Sequence, residues 1–229
     1  MILRKWDDLP SFLKCEEVRK YYNILENKQG QLLVKRIFDI LVASLLLVIL
    51  AFPMLIIAVL IKLDSPGPVF FRQERITQYG KIFKIHKFRT MVNNADKIGS
   101  AVTVGGDSRI TRVGNKLRRL RLDEIPQLID VLLGDMSFVG TRPETKKYVR
   151  HYNNKMRATL LLPAGITSET SIKYKDEAKL LEGVDDIDTV YVNKILPEKM
   201  KYNIRSIEKF SLFGELLTMI KTFFAVFVK

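Results

Sequence analysis

The stretch ILVASLLLVILAFPMLIIAVLI, Ile40 to Ile61, contains no charged residue, and its reading decides how the rest of the chain is organised. As a helix, its 22 residues reach about 33 Å, the thickness of a bilayer's hydrocarbon core. A helix in a soluble core shows polar residues on one face, whereas this run is apolar all round. It starts too deep in the chain and is too long for a secretory signal, and no small-residue cleavage site follows it.

Two placements stay open on these grounds. The helix could cross a bilayer, or enter it, bend and leave on the same side. Pro53 lies near the middle of the run, where it removes one backbone donor and crowds the preceding turn, as at a kink. Straight spans accept proline too. Residues 1–36 carry eight Lys or Arg against five acids, a net +3 of the chain's +13, and Lys35, Arg36 and Lys62 stand at the two mouths of the run. With both flanks basic, the positive-inside tendency gives no orientation to a crossing helix. A re-entrant helix with both ends in the cytoplasm accommodates them.

The remaining composition narrows the class. The 229 residues are 47% hydrophobic and 28% charged, which excludes a disordered chain and a polytopic membrane protein. The length suits one domain plus a membrane element. A net charge of +13 calls for a polyanionic partner: nucleic acid, a phosphorylated substrate or an anionic membrane surface. The single cysteine, Cys15, rules out an internal disulfide and a cysteine zinc site. His86 and His151 are not at metal-ligand spacing, and no Walker loop or dinucleotide fingerprint is present.

Working outward from the apolar run, residues 1–33 read as a polar leader with a helix at Cys15–Leu25. Its Trp6, Phe12, Tyr21 and Tyr22 suit either a membrane interface or simple packing. After the run, Asp64-Ser65-Pro66-Gly67-Pro68 is a turn signal. Val69–Phe71 and Ile82–Phe88 read as strands joined through Gln78-Tyr79-Gly80. Residues 92–109, with Gly99, Gly105 and Gly106, read as a polar loop over a site.

Arg112 to Arg121 is a basic helix with Leu117 and Leu120 on one side, suited to lipid phosphates or a diphosphate. Asp123-Glu124-Ile125-Pro126 then opens a helix with Asp123 as its N-cap, and Gly134 stops it. A carboxylate so placed stays ionised and can act as a nucleophile or hold magnesium. Gly140-Thr141-Arg142-Pro143 fixes a guanidinium for phosphate. An acidic cluster, Asp185, Asp186 and Asp188, sits in the charged segment Lys173–Lys201, and Phe210–Val228 reads as an amphipathic helix packed on the membrane or the core.

Several of these stretches occur together and in one order: Lys35-Arg36-Ile37-Phe38-Asp39, Ser65-Pro66-Gly67-Pro68-Val69-Phe70-Phe71-Arg72-Gln73, Lys84-Ile85-His86-Lys87-Phe88-Arg89-Thr90-Met91 and Leu120–Leu128, continued by Leu133–Glu144. In this they resemble the bacterial sugar transferase family, the monotopic polyprenyl-phosphate phosphoglycosyl transferases, over roughly residues 34 to 225. The resemblance implies an α+β, mostly helical fold. It divides into a leader (1–33), a re-entrant membrane helix (34–62) and a cytoplasmic catalytic domain (63–229) with a short β-hairpin and amphipathic interfacial helices.

The resemblance also implies a UDP-sugar donor, a polyprenyl phosphate acceptor, contact with membrane lipids and Mg2+ as cofactor, at the cytoplasmic face of the bacterial inner membrane. Asp123 would be the nucleophile, and Glu124 would help hold magnesium or move a proton, so that Asp123 and Glu124 are both catalytic and metal-binding. Arg118, Arg142, Lys87 and Arg89 would contact substrate, and Asp188 aligns with an acid the family carries near its site.

Two departures stand out. Many members have serine before the bend proline, where this chain has Phe52. Many also carry a Gly-x-x-Gln-Val-Asn-Gly-Arg segment, where Pro163-Ala164-Gly165-Ile166-Thr167 leads here into Ser168–Tyr174, with Lys173 a candidate substitute for the arginine. The rival readings are a membrane-tethered nucleic-acid binder, which lacks any motif or aromatic interleaving in the basic run, and a non-catalytic scaffold, which has no need of Asp123.

Overall fold

The long apolar run forms one face-docked helix. The computed structural model describes residues 3–95, 107–181, 183–184 and 186–227; Gly99, Gly105, Gly106, Asp185 and Val228 lie outside them. After α1 (Glu16–Glu26), helix α2 spans Gln29–Asp64 without a break at Pro53. It is long and apolar enough to cross a membrane.

One stripe of α2 turns inward at helical spacing: Leu32, Lys35, Asp39 and Ala43, then half-buried Leu46, Leu50 and Met54, then Ile57 and Ile61. The opposite face, from Leu41 through Leu45, Val48, Phe52 and Leu55 to Leu63, is bare apolar surface. A patch of this extent on a soluble surface marks a lipid or protein contact.

Both ends of α2 are pinned to the same body. Lys35 Nζ donates to the Val139 carbonyl at 3.0 Å and meets Glu215 Oε2 at 2.5 Å, with Lys35 only 3% exposed. Arg36 donates to the carbonyls of Val131 (2.6 Å) and Leu132 (2.8 Å), the end of α4 (Gln127–Leu133). At the far end, Asp64 Oδ2 accepts from the Val113 amide in α3 (Arg112–Arg119) at 3.0 Å.

Strands β1 (Phe70–Ile76) and β2 (Ile82–Phe88) form an antiparallel hairpin turned at Gln78–Gly80 as expected, with β1 running on to Ile76 where the sequence reading ends it at Phe71. A second, parallel pair, β3 (Met136–Val139) with β4 (Ala164–Thr167), has no clear alternation in the sequence. It depends on glycine, because a Cβ at Gly165 would lie 2.1 Å from the Gly140 nitrogen. The remaining helices are α5 (Lys146–Val149), α6 (Asn154–Arg157), α7 (Glu169–Lys173), α8 (Ile187–Val190), α9 (Leu196–Glu208) and α10 (Leu212–Phe227). The architecture is α+β and mostly helical.

One open alternative is decided and two local expectations change. Tyr21 and Tyr22 take the packing alternative, buried with Leu13, Val18 and Leu25 against Tyr152, Ile204 and Phe210. Leu117 and Leu120 do not share a buried side; Leu120 caps α3 and is 53% exposed while Leu117 is buried. Asp123 is not the N-cap of α4. Arg121 adopts a left-handed conformation (φ 57°) that ends the basic helix, Leu122–Glu124 make a separate 3-10 turn, and α4 starts after Pro126. Gly134, at φ 84°, stops α4 as expected.

Candidate active site

The 3-10 turn at Leu122–Glu124 aims both carboxylates into a cavity of about 1260 Å³. Its cationic end is lined by Lys87 from β2, Arg118 and Arg119 from α3, Arg121, and Arg142 from the segment after β3. Arg121 holds the turn to the α7 side of the cavity by donating to the Lys175 carbonyl at 3.0 Å. A non-glycine residue at positive φ is costly, and such strain is tolerated where the surroundings fix it.

Glu124 and Asp123 have different environments although they are neighbours. Glu124 Oε1 accepts from Lys87 Nζ at 2.7 Å and Arg142 Nη2 at 2.6 Å, and Oε2 accepts from Arg142 Nη1 at 3.3 Å. Burial alone would raise its pKa, but Arg142 and Lys87 outweigh burial and hold the carboxyl well below the usual range. Asp123 makes no hydrogen bond to any described residue. Burial, then the adjacent Glu124 charge, push its pKa up, against the pull of Lys87, Arg118 and Arg121. Burial also lowers the pKa of Lys87, with Glu124 opposing. One carboxylate is therefore fixed and fully ionised, and the other keeps its lone pairs free toward the cavity.

Of the residues singled out in the sequence, Asp123, Glu124, Lys87, Arg118 and Arg142 come together. Arg89 reaches the cavity wall, but its guanidinium is committed elsewhere: it donates to the carbonyls of Ile61 (3.3 Å), Ser65 (2.6 Å) and Pro66 (3.1 Å), tying off the end of α2. Asp188 stands apart from the dyad, bound to Tyr148 (2.7 Å) and Lys147 (2.5 Å). Lys173 lies against Tyr202 and does not line the cavity.

Other contributors carried no clear sequence signal. Asp130, one turn into α4, accepts from the His86 amide (2.9 Å) and pairs with His86 Nδ1 (2.6 Å). This pin sets the strand carrying Lys87 against the helix that follows the dyad. Behind Arg142, Glu144 accepts from Tyr191 (2.5 Å), whose oxygen accepts from the buried Lys199 (2.9 Å).

A half-buried carboxylate with no hydrogen bond to a described residue, beside a clamped one in a pocket lined by Arg and Lys, suits chemistry on a phosphate, where charge neutralisation and alignment dominate. A comparison with known families agrees: the model of the bacterial sugar transferase family matches residues 30–229. The chain belongs to that family.

Relatives of this chain include a UDP-N-acetylgalactosamine-undecaprenyl-phosphate N-acetylgalactosaminephosphotransferase of Aeromonas hydrophila, 35% identical over 89% of this chain and 47% of the relative. A putative undecaprenyl-phosphate N-acetylgalactosaminyl 1-phosphate transferase of Bacillus subtilis is 39% identical over 69% of this chain and 87% of the relative. A UDP-glucose:undecaprenyl-phosphate glucose-1-phosphate transferase of Escherichia coli is 35% identical over 86% of this chain and 40% of the relative. The chain thus spans about half the length of the Aeromonas and E. coli proteins.

The dyad also bears on magnesium, which the family resemblance implies. Mg2+ is usually held by one or two carboxylates plus substrate phosphate and water. Asp123 offers both oxygens. Glu124 already accepts three donors, leaving about one of its roughly four lone-pair sites. The oxygens of Asp123 are compatible with such an ion, and Glu124 has little capacity left for one. Among the described residues no group of three or more metal-ligating side chains forms a closed cage.

Proposed function

We infer that this sugar transferase moves a sugar-1-phosphate from a UDP-sugar to a polyprenyl phosphate through an aspartyl intermediate on Asp123. The observation that carries the reading is the contrast within the dyad: Glu124 is clamped by Lys87 and Arg142, while Asp123, at the cavity wall, makes no hydrogen bond to a described residue.

An Asp123 oxygen attacks the phosphorus that bears the sugar. The bond from that phosphorus to UMP breaks, and UMP leaves with the electron pair. An oxygen of the lipid phosphate then attacks the same phosphorus, the bond to Asp123 breaks, and the carboxylate is restored with polyprenyl-diphosphate-sugar as product. No proton has to be removed from the nucleophile, because a carboxylate attacks as the anion. Arg142 and Lys87 lie where the phosphoryl charge spreads, and their contact with Glu124 pre-sets their orientation before substrate arrives. Arg118 adds a third cation on the α3 side. Magnesium held by Asp123 and Glu124 would supply further neutralisation of the diphosphate.

The same reading places α2 in one leaflet of the bacterial inner membrane, re-entrant, with both ends and the dyad on the cytoplasmic side. The helix runs 36 residues without a break at Pro53, so the reading rests on where its two ends are held. Here Lys35 and Asp64 are both bonded to the body that carries the dyad, and the inward stripe runs the whole length between them. An acceptor whose phosphate stays at the headgroups needs its enzyme at that depth.

The test is UMP release from a panel of UDP-sugars by detergent-solubilised protein with undecaprenyl phosphate and Mg2+. One sugar should release UMP, Asp123→Asn should abolish release, and a peptide containing Asp123 should gain the mass of the phosphosugar when lipid is withheld. Full activity in Asp123→Asn would overturn the assignment.

A further inference from the structure

The dyad cavity is larger than one small-molecule site needs: about 1260 Å³, against roughly 300–1,000 Å³ for most ligand pockets. It is also chemically divided. Beyond the cationic end, one arm is polar, with Thr170 and Asn203 hydrogen-bonded to each other at 2.7 Å in its wall. The other arm is apolar and is walled by Leu46 and Leu50 of α2, Phe138, Ile166, and Thr222 and Ala225 of α10. Leu46, Leu50 and Ile166 pack against the buried Phe138 and, like Thr222 and Ala225, stay half-buried at the cavity.

The geometry points to this apolar arm as the groove for the isoprenoid tail of the acceptor lipid, entered between α2 and α10; the assignment rests on the function proposed above. A polyprenyl phosphate needs an anion site joined without interruption to an apolar channel that opens toward lipid. The arm meets all three conditions. It is continuous with Lys87, Arg118 and Arg142. Its walls are hydrocarbon apart from the Thr222 hydroxyl, and that group is bonded to Thr167 at 2.7 Å and to the Thr218 carbonyl at 2.8 Å. The residues flanking its mouth on both helices, Leu45 and Ile49 on α2 and Phe223 and Phe224 on α10, are exposed apolar side chains. The tail therefore passes from bilayer to dyad without its hydrocarbon crossing water. The polar arm offers hydrogen bonds that a hydrocarbon cannot use, and it is left to the donor.

Helix α10 is held as the second wall by Glu215, which pairs with Lys35, and by Thr222 in the groove wall itself, which reaches β4 through Thr167. The opening is thus set by the fold rather than by the lipid.

The experiment separates the two half-reactions. Exchange of labelled UMP into UDP-sugar reports donor chemistry and needs no lipid; sugar-phosphate transfer to undecaprenyl phosphate needs both. Ala225→Trp and Ile166→Phe, made in the full chain, each fill the arm. The expected result is exchange within about twofold of the parent, a KM for undecaprenyl phosphate raised at least tenfold, and unchanged use of a phosphate bearing a single isoprene unit.

Parental KM for undecaprenyl phosphate in both variants would overturn the groove, as would equal loss of exchange and transfer in both. A photoreactive polyprenyl phosphate should label peptides containing Leu46–Leu50 and Thr222–Ala225, and undecaprenyl phosphate should compete. Equal labelling by a photoreactive phospholipid, undisplaced by undecaprenyl phosphate, would assign the arm to a bilayer acyl chain and overturn the proposal. Absence of exchange in the parent protein would instead fail the reaction proposed for Asp123, a result distinct from any of these.

Discussion

The Arg142 guanidinium straddles the Glu124 carboxylate, with Nη2 2.6 Å from Oε1 and Nη1 3.3 Å from Oε2. A planar fork makes this two-point contact and a lysine ammonium cannot. Arg142→Lys keeps the charge and loses the geometry. Hydrogen bonds to charged groups are worth about 1.5–3 kcal/mol, so kcat/KM should fall about 10- to 100-fold. Steady-state UMP release checks this, and an unchanged kcat/KM would show that the fork does not orient the cation.

The acid limb of the pH–rate profile should report Asp123, because only its ionised form attacks. Burial and then the Glu124 charge raise its pKa, so activity should be lost as pH falls through a value above the ordinary carboxylate range of about 3.9. Glu124→Gln removes the neighbouring anion and leaves Lys87 and Arg142 uncompensated. Both effects favour the Asp123 anion, and the limb should move to lower pH. Lys87→Met removes a cation that favours the anion, and the limb should move to higher pH. Shifts of the same sign in the two variants would reassign the limb to another group.

Glu124 also ties stability to pH. Its folded-state pKa is depressed, so its contribution is present above the unfolded value of about 4.3 and is lost as pH falls through the folded value. Urea titrations from pH 7 downward should therefore show a smaller acid-dependent loss in Glu124→Gln than in the parent. Equal slopes would mean that the clamp does not stabilise the fold.

The Lys35–Glu215 pair joins α2 to α10 in a buried setting. Removing one partner strands a buried charge, which typically costs about 3–5 kcal/mol. Lys35→Met should destabilise the protein on that scale, and Lys35→Met with Glu215→Leu should recover much of the loss. Denaturant midpoints in detergent measure both, and an additive double mutant would rule out direct coupling.

Val34 and Leu63, near the two ends of α2, are both exposed. In a Cys15→Ser background, where serine remains a good N-cap for α1, Val34→Cys and Leu63→Cys should react with an impermeant thiol reagent only from the cytoplasmic side. Labelling of one from each side would show that the helix crosses.

Much of this protein was legible from local pattern. The apolar run, the hairpin about Gln78–Gly80, the basic helix from Arg112, the stop at Gly134 and the Asp123-Glu124 dyad depend on neighbours a few residues apart. Periodicity and turn chemistry report such features directly. The order of the motifs then identified the family.

What the sequence did not contain was the pairing of distant groups. Lys87, 37 residues before Glu124, and Arg142, 18 residues after it, converge on one oxygen only because β2 and the segment after β3 pack on either side of the dyad turn. The same packing turns Arg89 to the end of α2, keeps Asp188 with Lys147, clamps one dyad carboxylate and leaves the other without a hydrogen bond to any described residue. Helix and turn propensities act over a few residues. Burial and ion pairing depend on which surfaces meet, and only the tertiary structure decides that.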